Sequence, residues 1–500
     1  MLTFHPPILT SLPKPNAPLL RLTDAPEPAT ALIIAELASR ADSLLLVLVE
    51  KSQDAQRIAN GLHFYLGQEH QVDAEGEPVG DPEIPIIHLP DWETLPYDSF
   101  SPHEDIISER LKALSLLGDL TRGILILPVQ TLAHRVAPRS HLDGQRFVLK
   151  TGDRFDLISE RRRLERAGYH AVETVHEHGE FAVRGAILDV FPMGSAQPLR
   201  IELFDTEIES LRAFDPDTQR TISKVDSVTL LPAREIPMTE TGIANFRQNW
   251  HETFEGNPRD CSIYQDVSSG LAPPGIEYYA PLFFSEMATL FDYLPASTTT
   301  IRIGAVHEAL EQFWADVSTR YESLRHDRRK PLLPPERLFL RTEELFAAVK
   351  PYAGIEVTYS DATHARLKRL PDVAFNSRAE DPALALKALI STGLRVLFVA
   401  ESPGRREALL ELLAKQGLRP QVIHHFDEFT EDSGRLAITL GLLDAGLCVD
   451  NLAIIPEAQL FGRRVPQRRR RRQHEIATDL IQDKKRGLRP LFLYQKTARD

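Results

Sequence analysis

The chain has 500 residues, of which 42% are hydrophobic and 26% are charged, and its formal net charge is −13. This length exceeds a single hydrophobic core and predicts three or four domains at about 150 residues each. The composition is typical of globular protein, with no apolar run near the roughly 18 residues that a membrane span needs. The acidic balance argues against a broad basic surface that follows nucleic acid, so any DNA contact is expected to be local.

Two features of the sequence, its N-terminal residues and its cysteines, bear on the compartment in which the protein acts. Residues 1–7 have no basic segment ahead of an apolar one, so no secretory signal is predicted. The two cysteines, Cys261 and Cys448, are far apart and indicate no disulfide framework. A cytoplasmic location is expected.

The first segment, residues 19–137, alternates strands with helices. Apolar runs at 44–49 and 123–129 predict buried strands, and the patterns at 54–66 and 104–117 predict helices. This alternation favours a parallel α/β layer. A helicase-like layer would carry GxxxxGK[ST] to cradle phosphates, and the sequence contains no such string.

A polar, arginine-rich helix is predicted at 155–167, ending at Gly168, and short strands follow to about residue 231. This pattern indicates a compact α+β insert. It contains RGAILDVFP at 184–192 and RIELFD at 200–205.

In the second string of the insert, alternate residues point to opposite faces of a strand. Leucines and isoleucine at 199, 201 and 203 would be buried, while Arg200, Glu202 and Phe204 share the other face. Arginine and large aromatic residues dominate protein interfaces, so this face would suit a partner. A two-sided core strand with Phe204 under a loop is the alternative.

The insert resembles the partner-binding domain shared by UvrB and the bacterial transcription-repair coupling factor (Mfd) family. Three further strings extend the resemblance: LPDWETLPYDSFSPH at 89–103 is similar to a coupling-factor signature, PGIEYY at 274–279 to a junction motif of both proteins, and PLLPP at 331–335 to an Mfd linker. The resemblance covers about residues 15–480. It identifies the chain as the N-terminal part of an Mfd-like protein.

The resemblance implies that Arg184, Arg200 and Phe204 bind the repair protein UvrA, with Glu202 as a weaker candidate. The full-length family recognises RNA polymerase stalled at DNA lesions, releases it by ATP-dependent DNA translocation and recruits UvrA. This chain is expected to supply UvrA recruitment, with no catalytic residue, metal or cofactor of its own. ATP, magnesium, RNA polymerase and DNA would be bound by domains outside it.

The resemblance also places residues 22–30 where UvrB has its phosphate loop. This stretch lacks the glycines and the lysine, and its acids Asp24 and Glu27 would repel phosphate. A helicase-like lobe that has lost ATP binding is therefore expected.

The predicted fold is an α/β multidomain protein: a degenerate helicase-like (UvrB-like) lobe, an inserted α+β partner-binding domain, and a second, smaller α/β domain. Prolines indicate linkers at 331–335 and 351–370. The expected boundaries are 1–147 and 233–350 for the lobe, 148–232 for the insert, 351–370 for a linker, 371–465 for the second domain and 466–500 for an arginine-rich tail.

In the second domain, strands are predicted at 395–400, 436–440 and 451–455. Ser402 and Pro403 would be the N-cap and first residue of a helix that stops near Gly417. The string ESPGRR at 401–406 could place one phosphate at this helix N-terminus, but an ordinary capped helix is favoured.

Two other charged strings are candidates for binding, one for a metal ion and one for nucleic acid. HEHGE at 176–180 lacks the second histidine of the zincin pattern, so it is expected to line the partner surface rather than bind metal. Arginines at 463–464 and 468–472 form either a solvated linker or a nucleic-acid contact. Beyond residue 482 the family resemblance fails, as expected of a fragment or of a lost reading frame.

A function of a different class remains open: an autonomous DNA-binding or nucleotide-hydrolysing helicase-like protein that uses the arginine run. It predicts ATP turnover, or binding that weakens steeply with salt. The missing phosphate loop and the acidic balance argue against it.

Overall fold

The computed structural model describes residues 7–9, 12–68, 83–359, 364–376, 378–431 and 434–461. The arginine run and the divergent end beyond residue 482 lie outside these residues. No helix of the described part is long and apolar enough to cross a membrane.

The strands fall into three larger sheets and one pair. In chain order they are β1 (Leu20–Leu22), β2 (Leu44–Val49), β3 (Ile86–His88), β4 (Gly123–Pro128), β5 (Phe147–Lys150), β6 (His170–Ala171), β7 (Glu180–Arg184), β8 (Ile187–Val190), β9 (Leu199–Phe204), β10 (Glu207–Phe214), β11 (Thr221–Lys224), β12 (Ser227–Leu230), β13 (Thr299–Ile303), β14 (Ala353–Val357), β15 (Leu367–Arg369), β16 (Arg395–Ala400), β17 (Gln421–Val422), β18 (Leu436–Leu440), β19 (Leu447–Val449) and β20 (Leu452–Pro456).

The helices connect and cover these sheets. They are α1 (Thr30–Arg40), α2 (Ser52–Tyr65), α3 (Glu104–Leu117), α4 (Val129–Ala133), α5 (Arg139–Gln145), α6 (Leu157–Arg166), α7 (Glu240–Thr253), α8 (Ser262–Ser268), α9 (Val306–Leu324), α10 (Pro335–Leu338), α11 (Thr342–Val349), α12 (Leu384–Ser391), α13 (Pro403–Lys415), α14 (Phe426–Glu431) and α15 (Glu457–Phe461).

The first sheet is parallel and has the order β1-β14-β13-β2-β4-β3. Its strands β2 and β4 are buried throughout, because helices cover both faces of a parallel sheet and both sets of side chains must be apolar. Strands β13 and β14 follow the insert in sequence. The lobe is therefore built from two separate stretches of chain, and the α/β multidomain prediction is confirmed.

The insert contains a six-stranded sheet of order β11-β10-β9-β8-β7-β6, antiparallel except for β6 and β7. The β5–β12 pair joins the chain entering the insert to the chain leaving it. One face of the larger sheet, including Leu188, Ile201 and Leu211, belongs to the same apolar cluster as α3 residues such as Leu114. The insert is thus anchored to the lobe by its apolar face.

An aromatic block completes the lobe between the insert and β13. Residues of the DWETLPYD and PGIEYY strings meet there: Trp92 and Tyr97 pack around Tyr278, with ring centroids 5.5 and 5.6 Å away. Tyr278 also donates a hydrogen bond to the carbonyl oxygen of Leu95 at 2.8 Å. The two strings that carry the family resemblance therefore form one packed unit.

The second α/β domain has the sheet order β15-β19-β20-β16-β18-β17. The strands predicted at 395–400 and 436–440 occur with those bounds, and α13 begins at Pro403. Ser402 is the N-cap of α13, and its Oγ accepts a hydrogen bond from the amide of Arg405 at 3.4 Å. The predicted capped helix is confirmed.

Both predicted linkers contain packed elements, although the chain does pass from the first sheet to the second between β14 and β15, inside 351–370. Within 351–370, β14 lies between β1 and β13 in the first sheet and is mostly buried, and β15 pairs with β19. Within 331–335, Leu333 is fully buried and its carbonyl oxygen accepts a hydrogen bond from Tyr97 Oη at 2.9 Å. Proline signals mark where the chain changes direction, but they do not distinguish a loose connection from a packed one.

Candidate partner-binding face of the inserted domain

Strand β9 has the alternating burial that its sequence predicts. Leu199, Ile201 and Leu203 are buried, while Arg200 and Glu202 are partly exposed on the opposite face. Phe204 is 74% exposed, so the alternative that places it under a loop is wrong. It ends β9 just before Asp205, whose φ of 56° starts the turn into β10.

The strand register shows which residues share the face with Arg200 and Glu202. Residues directly opposite each other in an antiparallel pair point to the same side of the sheet. Asp189 on β8 and Arg212 on β10 both lie opposite Arg200, and Lys224 on β11 lies opposite Arg212. We call this side of the sheet the open face.

Asp189 organises the open face. Its side chain is fully buried, and its two carboxylate oxygens accept hydrogen bonds from Nε and Nη2 of Arg200 at 2.7 and 2.9 Å. Nη2 of Arg184 also contacts this carboxylate. Hydrogen bonding to Asp189 raises the pKa of Arg200. One buried anion therefore fixes two arginines in a single arrangement.

The two arginines differ in what they offer to a partner. The Arg184 side chain is 52% exposed, whereas that of Arg200 is 19% exposed. The guanidinium of Arg200 also lies over the ring of Phe214, with its central carbon 4.9 Å from the ring centroid. Arg200 therefore has a packing role as well as an accessible edge, and Arg184 is the more available of the two.

Glu202 is already engaged within the sheet. Oγ of Ser210 donates to its Oε2 at 2.6 Å, and Nη2 of Arg212 lies 3.4 Å from the same oxygen. Glu202 thereby neutralises part of the charge of Arg212, which lies opposite Arg200. The sequence suggested Glu202 as a weaker candidate, and these contacts give it a positioning role for Arg212.

Sequence reasoning singled out Arg184, Arg200, Phe204 and Glu202, and the structure brings them together on one face. It missed Asp189 and Arg212. An aspartate inside an otherwise apolar strand, opposite an arginine in the next strand, was the available signal for Asp189. Arg212 could have been found from the same alternation on β10.

One end of the open face is closed by the chain itself. Val175, Ala182, Phe191 and Phe214 form a buried apolar cluster, with Val172 packed against it. The carbonyl oxygen of Val175 accepts a hydrogen bond from Gln219 Nε2 at 3.0 Å, which holds this cover in place. The accessible part of the face is thus the end that carries Arg184 and Phe204.

The HEHGE string adjoins the covered end of this face, where the ring of His178 packs on that of Phe191 with centroids 4.0 Å apart. Nδ1 of His178 lies 2.7 Å from a carboxylate oxygen of Asp105 at the start of α3, and Nε2 lies 2.9 Å from the carbonyl oxygen of Ser195. Its ring is thus turned toward the lobe, because the turn at Gly179 (φ 78°) reverses the chain there. Among the described residues, no group of ligand side chains is arranged to hold a metal.

The passage from β1 to α1, at residues 22–30, is filled with side-chain contacts. Arg57 contacts the carboxylate of Glu27 and lies 3.0 Å from that of Asp54. Thr30 Oγ1 lies 3.2 Å from Tyr359 Oη. Two carboxylates, those of Glu27 and Asp54, therefore lie beside this passage and share Arg57.

The corresponding passage in the second α/β domain holds an ion pair. Arg405 in the first turn of α13 contacts Glu457, which is 2% exposed at the end of β20. Burial raises the pKa of Glu457, and Arg405 opposes that shift. Arg405, near the N-terminus of α13, is therefore already paired with the carboxylate of Glu457.

Comparison with known proteins gives two family matches. Residues 147–236 match the UvrB interaction domain, and residues 389–460 match the MFD, D3 domain. The first of these contains the whole open face.

Relatives that align with most of this chain are named transcription-repair-coupling factor. The Escherichia coli (strain K12) protein is 42% identical over 463 residues, and the Haemophilus influenzae protein is 40% identical over 464 residues. Each alignment covers 91% of this chain and 39% of the relative. The Bacillus subtilis protein is 24% identical over 392 residues, covering 73% of this chain and 33% of the relative. The chain thus spans between a third and two fifths of the length of these relatives.

Proposed function

This chain belongs to the transcription-repair-coupling factor family, and we propose that it is the family's recruitment module, which binds the repair protein UvrA through the open face. The single observation that carries the proposal is the arrangement of Arg184, Arg200 and Phe204 on one face, with Phe204 exposed to solvent. The hot spots of protein interfaces are enriched in aromatic residues and arginine.

Charge indicates the chemistry of the partner surface. Arg184, Arg200, Arg212 and Lys224 lie on the open face together with three carboxylates, Asp189, Glu202 and Glu207, the last directly opposite Phe204. Complementary charges favour docking in one orientation and raise the rate of encounter. The matching surface of UvrA would therefore carry acidic groups opposite the half-exposed Arg184 and an apolar recess that takes Phe204.

We further propose that the chain itself does not hydrolyse nucleotide and that it acts in the cytoplasm. Arg57 already pairs with both Glu27 and Asp54 beside residues 22–30, where the resemblance puts the phosphate loop of UvrB, so an added triphosphate would meet two carboxylates there. RNA polymerase release, DNA translocation, ATP and magnesium would belong to the rest of the family's polypeptide.

Calorimetric titration with purified UvrA tests recruitment directly. The competing assignment, an autonomous helicase-like protein, is tested by measuring ATP hydrolysis by the purified chain with and without DNA. Turnover that a point substitution in this chain abolishes, such as Arg57→Ala, would contradict the proposal.

A further inference from the structure

Helix α1 lies between the two α/β domains and is buried on every side. Residues 30–39 are all buried, as expected of a helix that is apolar all round. Its residues share one apolar cluster with strands of the first sheet, such as β2, and with strands of the second domain, such as β19 and β20. The two sheets therefore use α1 as a common layer.

Glu36 is the one acidic residue of α1, and it is 0% exposed. A buried carboxylate is stable only where hydrogen-bond donors replace its water. The amide of Ile8 supplies one, at 2.9 and 3.0 Å from the two carboxylate oxygens. Burial raises the pKa of Glu36, and the Ile8 amide and Arg40 oppose that shift.

The neighbours of Ile8 are held from both sides. Arg40 of α1 donates to the carbonyl oxygen of Leu9 at 2.7 Å. From the second domain, Arg366 Nη1 donates to the carbonyl oxygen of Pro7 at 2.9 Å. Nε and Nη2 of Arg366 also donate to Asp450, at 2.8 and 2.7 Å, which fixes that guanidinium against the β19–β20 turn.

The side chains of the tripeptide complete the contact. Ile8 is 8% exposed and Leu9 is 6% exposed, and both belong to the apolar cluster that contains α1 and Leu367 of β15. Residues 7–9 therefore bond to the first lobe through Glu36 and Arg40 and to the second domain through Arg366.

We propose that residues 7–9 form an intramolecular clasp, and that the seam between α1 and Arg366 is its binding groove. The clasp holds the second α/β domain on the first lobe as one rigid body, so the two do not open and close as separate lobes. This role is independent of UvrA binding, since the open face lies on the insert. It gives the second domain a defined task, which is to brace α1 from the side opposite the first sheet.

Hydrogen exchange of the full chain, read by mass spectrometry, tests the clasp. Ile8→Pro removes the amide donor to Glu36, and Ile8→Val is the matched control that keeps it. Losing a hydrogen bond to a buried charge corresponds to about a tenfold change in an equilibrium. We therefore expect amides of β15 and of the last turn of α1 to exchange about tenfold faster in Ile8→Pro and at the wild-type rate in Ile8→Val.

A second substitution separates loss of the clasp from loss of folding. Arg366→Gln removes the contact with Pro7 together with the ion pair to Asp450. Asp450→Asn, which removes only the charge of that ion pair and leaves Arg366 to bond Pro7, is its control and should change exchange in β15 less. We expect Arg366→Gln to speed exchange in β15 while strand β4, deep in the first sheet, keeps its wild-type rate. Wild-type exchange of β15 in folded Ile8→Pro or in folded Arg366→Gln would overturn the proposal.

Discussion

Arg200 donates two hydrogen bonds to the carboxylate of Asp189, at 2.7 and 2.9 Å. The Asp189 side chain is completely buried beneath the open face, to which Arg200 belongs. The sequence predicts Arg200 only as a contact residue on the partner-facing side of β9. The pairing changes that expectation, because removing one partner of a buried ion pair leaves an uncompensated charge.

Arg200→Ala should lower the free energy of unfolding by about 2 kcal/mol, because Asp189 would keep only its contact with the half-exposed Arg184. Arg184→Ala should cost less, about 1 kcal/mol, since the Arg184 side chain is half exposed and Asp189 would keep both hydrogen bonds from Arg200. Urea unfolding of both variants measures the difference. Equal stability losses for the two would contradict this division of roles.

Phe204→Ala should weaken UvrA binding by about 2 kcal/mol, or roughly thirtyfold, while leaving the unfolding transition unchanged. The side chain is 74% exposed, so its truncation removes little internal packing. Ile158→Ala is a matched control, because Ile158 is 67% exposed but lies on helix α6. Equal binding losses for the two variants would show that the open face is not the contact.

Stability should depend on pH through Glu277, because burial raises the pKa of this carboxyl to about 7 from a usual value of 4.5. The folded chain then holds a proton that the unfolded chain releases. The associated stability is complete below about pH 4.5 and is lost as pH rises through about 7.

Between pH 5.5 and 8.5 this loss amounts to about 2 kcal/mol, at 1.36 kcal/mol for each pKa unit crossed. Glu277→Gln should remove that part of the pH dependence, which urea unfolding at both pH values would measure. An identical pH dependence in wild type and variant would exclude Glu277 as the titrating group.

Gly275→Ala should destabilise the chain more than Gly270→Ala. Both glycines have positive φ angles, 80° and 88°, so each substitution carries a similar backbone strain of about 1 kcal/mol. At Gly275 an added Cβ would also lie 2.7 Å from the carbonyl oxygen of Asp98, whereas nothing lies within 4 Å at Gly270. Thermal unfolding of the two variants should therefore separate the melting temperatures, with the Gly275 variant lower.

The parts of the fold that the sequence predicted are those with local signals. Apolar runs predicted β2 and β16, and the Ser402-Pro403 cap predicted α13. These signals are local because strand propensity and helix capping each depend on a few neighbouring residues. The linker predicted at 351–370 includes strand β14. The sequence did not reveal this strand because its partners, β1 and β13, are distant in sequence and nothing local to β14 marks the pairing.

The candidate site shows the same division. Alternation along β9 was enough to place Arg200, Glu202 and Phe204 on one face. The burial of Asp189 beneath them depends on the register of β8 against β9, which no single strand reveals. The role of His178 likewise depends on Asp105, which is 73 residues away in sequence.

Calorimetric titration of purified UvrA into this chain, beside an Arg184→Ala, Phe204→Ala double variant, tests the central claim most directly. These two positions are chosen because neither is expected to disturb the buried Asp189–Arg200 pair. The account predicts saturable binding by the wild-type chain and a loss of at least about a hundredfold in the folded double variant. Wild-type affinity in that variant, or no binding by the folded wild-type chain, would contradict it.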